Sequence, residues 1–204
     1  MNQQTLPPQR VVFFGDSRAD WWIPPTIPGV QWLNRGVPGA SAGYLLQRFT
    51  ALVAPLRPDR VVVQMGVNDL VELTMGHHGR AQIVAMTGRT IAAVVANARD
   101  LGARVVLTTI FPLAHGAVPD VAVQRAIAEV NRDLLGRAME GVAVLDSAAV
   151  LVGPDGYVRD VYAADELHLS AAGYAALNVA LVPLLGEGTR TSLPRRGNDG
   201  LGQS

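Results

Sequence analysis

Apolar residues along this 204-residue chain fall into two alternating patterns: short unbroken runs, and longer stretches with apolar positions three or four apart. The runs are β-branched or aromatic and end at turn-forming residues, which predicts buried strands. Val11-Val12-Phe13-Phe14 closes at Gly15 and Arg60 to Met65 closes at Gly66, while Val30 to Asn34 is no unbroken run but alternates enough to make a short second strand. Arg104 to Ile110 and Val142 to Leu145, which ends at Asp146, complete five strands. The helical spacing is clearest over Gln82 to Leu101, through Ile83, Thr87, Ile91, Val94, Ala98 and Leu101. It recurs over Val121 to Met139 at Val123, Ile127, Val130 and Leu134, and further helices are predicted over Tyr44 to Val53 and Ser170 to Leu185. Trp21 to Pro28 is Pro-rich and reads as loop, and Gly36, Pro38, Gly39 and Gly43 make a glycine-rich turn.

Strands alternating with helices predict an α/β fold, with a mostly parallel sheet covered on both faces. The length suits one domain with a proper core. Three regions are expected: a flexible N-terminus over 1–9, one domain over 10–186, and a disordered tail over 187–204, which has no apolar period. No internal repeat is visible.

Composition narrows the function classes. Apolar residues are 49% and charged residues 17%, and 17 basic residues balance 17 acidic ones. No basic stripe exists outside the tail, which argues against nucleic acid as a partner. No run approaches the roughly 20 apolar residues of a membrane span, and no secretory signal is visible in Met1 to Gln9. The expectation is a soluble, cytoplasmic protein without stable membrane insertion. The absence of cysteine removes disulfide scaffolds and cysteine-ligated metals from consideration.

Chemistry-bearing residues cluster at the predicted element ends. Gly15-Asp16-Ser17 follows the first strand, and Asn34-Arg35-Gly36-Val37-Pro38-Gly39 follows the second. Gly66-Val67-Asn68-Asp69 follows the third, and Asp165-Glu166-Leu167-His168 precedes the last helix. Loops after parallel strands open on one edge of the sheet, so these segments can converge. Serine needs a neighbouring base to act as a nucleophile. An imidazole titrates near neutrality, which makes His168 the natural base, and Asp165, three residues earlier, can hold its other ring nitrogen. The backbone N–H groups of Ser17 and Gly36 and the amide of Asn68 can stabilise an oxyanion.

In this order the four blocks resemble the SGNH/GDSL hydrolase family, over roughly Val11 to Leu185. The resemblance implies a flavodoxin-like three-layer α/β/α sandwich around a central five-stranded parallel sheet. It implies Ser17 as nucleophile, His168 as base, Asp165 as its orienter, and Ser17, Gly36 and Asn68 as oxyanion donors. The implied reaction is hydrolysis of a small-molecule carboxylic ester through an acyl-enzyme, with no metal and no organic cofactor. Short loops leave little material for a lid or acyl tunnel, so acetyl to butyryl groups are expected substrates. Two alternatives use the same fold: an acyltransferase with an alcohol acceptor, and a non-catalytic module that binds acylated carbohydrate. A nucleotide-binding protein would need more glycine than Gly15-Asp16-Ser17-Arg18 offers for a phosphate cradle.

Each segment alone has a plainer reading as a turn, a helix cap or a surface histidine; their joint order favours catalysis. Gly39-Ala40-Ser41-Ala42-Gly43 matches the nucleophile-elbow pattern. No strand runs directly into it, so Ser41 is read as a helix-start residue. His77-His78 diverge and lack a third ligand, which favours a solvated loop over a metal site. Substrate-binding candidates are Arg18, Trp21 and His115. Arg18 stands where many family members carry leucine or isoleucine. It is expected to pair with Asp20 or Glu72, or to meet an anionic or polar substrate.

Overall fold

A computed structural model of the protein describes residues 7–75, 79–116 and 120–186. Residues 1–6 of the expected flexible N-terminus, the 187–204 tail, and His77 and His78 lie outside the described residues.

The five predicted strands form one sheet: β1 (Gln9–Gly15), β2 (Val30–Gly36), β3 (Arg60–Gln64), β4 (Arg104–Thr108) and β5 (Val142–Leu145). Every pairing is parallel, in the order β2-β1-β3-β4-β5. The helices are α1 (Ser17–Asp20), α2 (Ala42–Val53), α3 (Val67–Val71), α4 (Arg80–Asp100), α5 (Asp120–Leu135), α6 (Ser147–Leu151) and α7 (Ala171–Gly186). The short helices α1, α3 and α6 carry too few residues for an apolar period, which hid them from the sequence. Among the described residues no helix is long and apolar enough to cross a membrane.

The inner strands β1, β3 and β4 carry unbroken apolar runs because both of their faces are covered, whereas the edge strand β2 has no fully buried residue. Val12, Phe14, Val61, Val63 and Leu107 pack with Leu45 and Phe49 of α2, Ile91 and Val94 of α4 and Ile127 and Val130 of α5. The intervening residues Val11, Phe13, Val62 and Val106 face the other way, onto Trp22 and onto Tyr174, Leu177 and Leu181 of α7. The period-2 alternation of side chains along each strand divides a single apolar run between two cores. The result is the expected three-layer α/β/α sandwich.

Where the boundaries differ from expectation, a hydrogen-bonding reason is visible. β2 runs on to Gly36 because its parallel partner runs on to Gly15, with Gly15 opposite Gly36. β4 stops at Thr108, although the apolar run continues to Ile110. The Asn131 side chain takes both backbone groups of Ile110, at 2.7 Å and 2.8 Å, and draws the chain out of the sheet. The fifth helix ends at Leu135, four residues early, as Gly136 and Arg137 turn back onto the carbonyls of Asp133 and Leu134.

The chain passes from β1 to β2 in one direction and returns across β1 to β3. Strand order therefore reverses between β1 and β3, and the crevice at the carboxyl ends of those two strands is where such sheets bind ligands. Ser17 follows β1 there and Asn68 follows β3.

Candidate active site

The chain leaves β1 through Asp16, which caps α1. Its Oδ1 accepts the Arg18 N–H at 2.9 Å, so Ser17 becomes the first residue of the helix. The Ser17 hydroxyl is half-buried and lies 3.0 Å from Nε2 of His168. His168 Nδ1 lies 2.8 Å from Oδ2 and 3.0 Å from Oδ1 of Asp165. With the carboxylate at Nδ1, the ring proton sits on Nδ1 and Nε2 presents its lone pair to the serine O–H. Residues 151 positions apart thus form one hydrogen-bonded line, Ser17–His168–Asp165.

Asp165 is held by its own turn. Its Oδ1 accepts the backbone N–H groups of Leu167 at 2.8 Å and His168 at 2.7 Å. Partial burial would raise its pKa, but those two N–H groups and the His168 ring outweigh it and hold the carboxyl below its ordinary value. A carboxylate locked in this way stays ionised and keeps the imidazole oriented.

Trp21 lies over the imidazole, with ring centroids 4.2 Å apart and planes 22° apart, and remains 47% exposed. It is aimed there by its neighbour. Trp22 is buried and donates from Nε1 to Asn178 Oδ1 on α7 at 2.8 Å, while Asn178 Nδ2 holds the Ile23 carbonyl. With Trp22 anchored inward, Trp21 projects toward the cleft beside the expected nucleophile.

The expected oxyanion donors are placed unequally. Asn68 donates from Nδ2 to the Ala40 carbonyl at 2.9 Å, which fixes the amide and leaves its second N–H free to point elsewhere. Gly36 is corrected: its N–H already donates to Asn34 Oδ1 at 2.8 Å. Its lack of a side chain serves packing, since a Cβ there would fall 2.2 Å from the Asp20 nitrogen. Asn34 completes the joint by donating from Nδ2 to the carbonyls of Ala19 and Asp20. Three residues on, Gly39 adopts a left-handed φ of 74°, and among the described residues its N–H meets no acceptor. It directly precedes Ala40, the anchor of Asn68. The signal that could have found it was its place at the end of the Asn34 to Gly39 block, in which Gly36 is the expected donor.

Arg18 is also corrected. It is fully buried and meets neither Asp20 nor Glu72; its guanidinium donates to backbone carbonyls of Phe111, Pro112 and Leu167. No surface is left on it for substrate. His115 is exposed, bonded to Asp155 at 2.9 Å and stacked on Tyr157, and no contact joins it to the triad among the described residues. Ser41 caps α2, its Oγ accepting the Tyr44 N–H, as its reading as a helix-start residue requires.

Asp16 carries a stability consequence. Burial pushes its carboxyl up from 3.8 to about 6, against the pull of the nearby Arg18 charge. A raised carboxyl keeps its proton in the folded state where the unfolded chain has lost it, so this contribution is complete below 3.8 and declines as pH rises through about 6. A shift of that size corresponds to about 3 kcal/mol. Asp16→Asn is expected to flatten the fall in Tm between pH 4 and pH 7 while keeping the cap on Arg18. An unchanged slope in the variant would refute the assignment.

The fold and this edge-of-sheet constellation place the protein among the α/β hydrolytic folds of flavodoxin-like topology. The chain belongs to the GDSL-like lipase/acylhydrolase family, whose model matches residues 13–176. Membership implies hydrolysis of ester bonds. Among solved structures, a Bacteroides fragilis protein provisionally described as an acylhydrolase is 26% identical, with a TM-score of 0.71 over 89% of this chain and 90% of that one. A GDSL-like lipase from Bacteroides thetaiotaomicron is 22% identical, with a TM-score of 0.68 over 89% of this chain and 91% of its own. An acetylxylan esterase from Geobacillus stearothermophilus, solved as a catalytic mutant, is 18% identical, with a TM-score of 0.64 over 87% and 94%. No curated protein sequence matches the chain.

Proposed function

We propose that the protein is a serine esterase cleaving short-acyl carboxylic esters through an acyl-enzyme. The observation that carries this reading is the unbroken line from Ser17 Oγ through both nitrogens of His168 to the Asp165 carboxylate.

Ser17 Oγ attacks the ester carbonyl carbon as its proton passes to His168 Nε2, and the carbonyl electron pair moves onto oxygen. Collapse of that tetrahedral species breaks the bond to the alcohol, which leaves with the proton from Nε2. Water then attacks the Ser17 ester, giving its proton to Nε2. The acid departs as Ser17 Oγ takes that proton back. Asp165 balances the imidazolium at each stage. The Trp21 ring, stacked on the imidazole, covers one of its faces.

The oxyanion donors in this reading are the Ser17 N–H, the Asn68 amide and the Gly39 N–H, the last in place of Gly36. Gly39 and Asn68 are tied together through Ala40, so their free N–H groups act as one preset cradle.

The acyl group is short. A cavity of about 620 Å³ lies beside α5, bounded by Val121, Leu135 and Tyr157, and a smaller one of about 230 Å³ lies between α4 and α5. Neither is lined by Ser17 or His168. Trp21, stacked on His168 and half exposed, stands as a wall beside the nucleophile, which is in keeping with a short acyl group. The acetylxylan esterases among the structural neighbours act on the smallest of these. The expected result with a series of p-nitrophenyl esters is kcat/KM highest from acetate to butyrate and falling toward palmitate. A steady rise toward palmitate would overturn the short-acyl reading.

A further inference from the structure

Arg18 directly follows the nucleophile and is wholly buried, yet no carboxylate lies within ion-pair distance of it among the described residues. Its partners are all backbone carbonyls, and they come from two segments distant in sequence. Nε donates to the Leu167 carbonyl at 2.7 Å. Nη1 donates to Phe111 and Nη2 to Pro112, at 3.4 Å for the latter, in the segment after β4. The guanidinium carbon also stands 5.6 Å from the Phe111 ring centre. The backbone of Arg18 is held as firmly. Its N–H donates to Asp16 Oδ1 and its carbonyl accepts the Tyr174 hydroxyl of α7 at 3.0 Å.

The Leu167 carbonyl belongs to the peptide that carries His168. The N–H of that same peptide donates to Asp165 Oδ1 at 2.7 Å. The peptide plane is therefore gripped on both sides, by Asp165 at nitrogen and by Arg18 at oxygen. We propose that Arg18 is a positioning residue of the site, a buried clamp that fixes the Asp165–His168 turn against the nucleophile helix and keeps Ser17 Oγ and His168 Nε2 in register. The proposal rests on the triad reading above and adds to it a residue that touches neither substrate nor reacting atoms.

Stability alone does not explain the arginine. An apolar side chain of similar volume is often as good or better in a buried site, because the charge must be taken out of water. Burial lowers the Arg18 pKa to about 10, which leaves it charged at neutral pH. A leucine or methionine there would fill the space, but it has no donor for three carbonyls in two loops. The planar fork of arginine supplies those donors at fixed angles, which a lysine ammonium cannot reproduce. Only the turn holding His168 and the loop after β4 lose their tether when it is removed.

The test compares wild type with Arg18→Met, Arg18→Lys and Ser17→Ala in p-nitrophenyl acetate hydrolysis, in fluorophosphonate labelling of Ser17, and in the downfield proton NMR signal of His168 Nδ1–H. Displacing a reacting group by about 1 Å can cost on the order of 10²-fold, so Arg18→Met is expected to lose about 10²-fold in kcat with KM within about twofold. Labelling should slow by a similar factor, and the Nδ1–H signal should broaden or vanish at temperatures where the variant remains folded. Arg18→Lys is expected to recover part of kcat; it also carries the test if the methionine variant fails to fold, with about a tenfold loss at unchanged KM. A folded Arg18→Met with wild-type kcat, a rise in KM alone, or an unaltered Nδ1–H signal would each overturn the proposal. So would wild-type kcat in a lysine variant carrying the test. An inactive Ser17→Ala beside a fully active Arg18→Met removes only this inference. An active Ser17→Ala removes the triad reading itself.

Discussion

Ser17→Ala is expected to lower kcat for short-chain aryl esters by about 10⁴- to 10⁶-fold, leaving KM and Tm nearly unchanged. The loss is large because the hydroxyl is the only atom that can form the acyl-enzyme in the proposed mechanism, and His168 without it has nothing to deprotonate except water. The fold should not notice the change. Ser17 opens α1, the capping bond comes from Asp16, and among the described residues the serine side chain is bonded only to His168. Steady-state hydrolysis of p-nitrophenyl acetate, with intact-mass detection of a fluorophosphonate adduct, reads the result. Wild type should gain one adduct and the variant none. Wild-type turnover in the variant would end the assignment.

The second large effect is expected from Asp165→Asn, about 10⁴-fold in kcat. Geometry predicts a loss of chemistry with the structure kept. The asparagine oxygen can still accept the Leu167 and His168 N–H groups, so the turn keeps its shape. The amide nitrogen must then occupy the place of Oδ2, where it faces the imidazole Nδ1 as a donor. The ring answers by carrying its proton on Nε2, and a protonated Nε2 cannot accept from Ser17. Nucleophile and base would remain about 3.0 Å apart and yet be unable to react. Steady-state kinetics together with the His168 ring NMR signals distinguish this from unfolding. A variant within tenfold of wild-type kcat would show that Asp165 does not set the tautomer.

Much of the fold was legible because β1, β3, β4 and β5 hold short apolar runs and because α4 and α5 repeat their apolar positions every three or four residues. β5 matches its expected span, and β3 differs only by its last residue. Boundaries set by side chains from elsewhere were not legible. Nothing in the run from Arg104 to Ile110 marks Thr108 as the end of β4, because the asparagine that ends it lies 21 residues further on. The blocks that carry the proposed triad were legible because the chemistry restricts residue types: a serine after a strand, a histidine with an acid three residues before it. Gly36 and Gly39 share one turn, and no local pattern says which N–H is already occupied. Asn34, which occupies the first of them, has an unremarkable place in the sequence.

By itself the sequence determined the α/β class, the five strands, the family, and the residues able to act as nucleophile, base and orienting acid. These follow from local periodicity and from side-chain chemistry, which travel with the chain. Tertiary structure alone decided that the Gly36 N–H is already bonded, that Trp21 covers the imidazole, and that Arg18 faces inward. The physical reason is that each depends on a partner far away in the chain. Only folding brings Leu167 and Phe111 to the guanidinium, and those carbonyls turn a charge expected at the substrate surface into a clamp within the core.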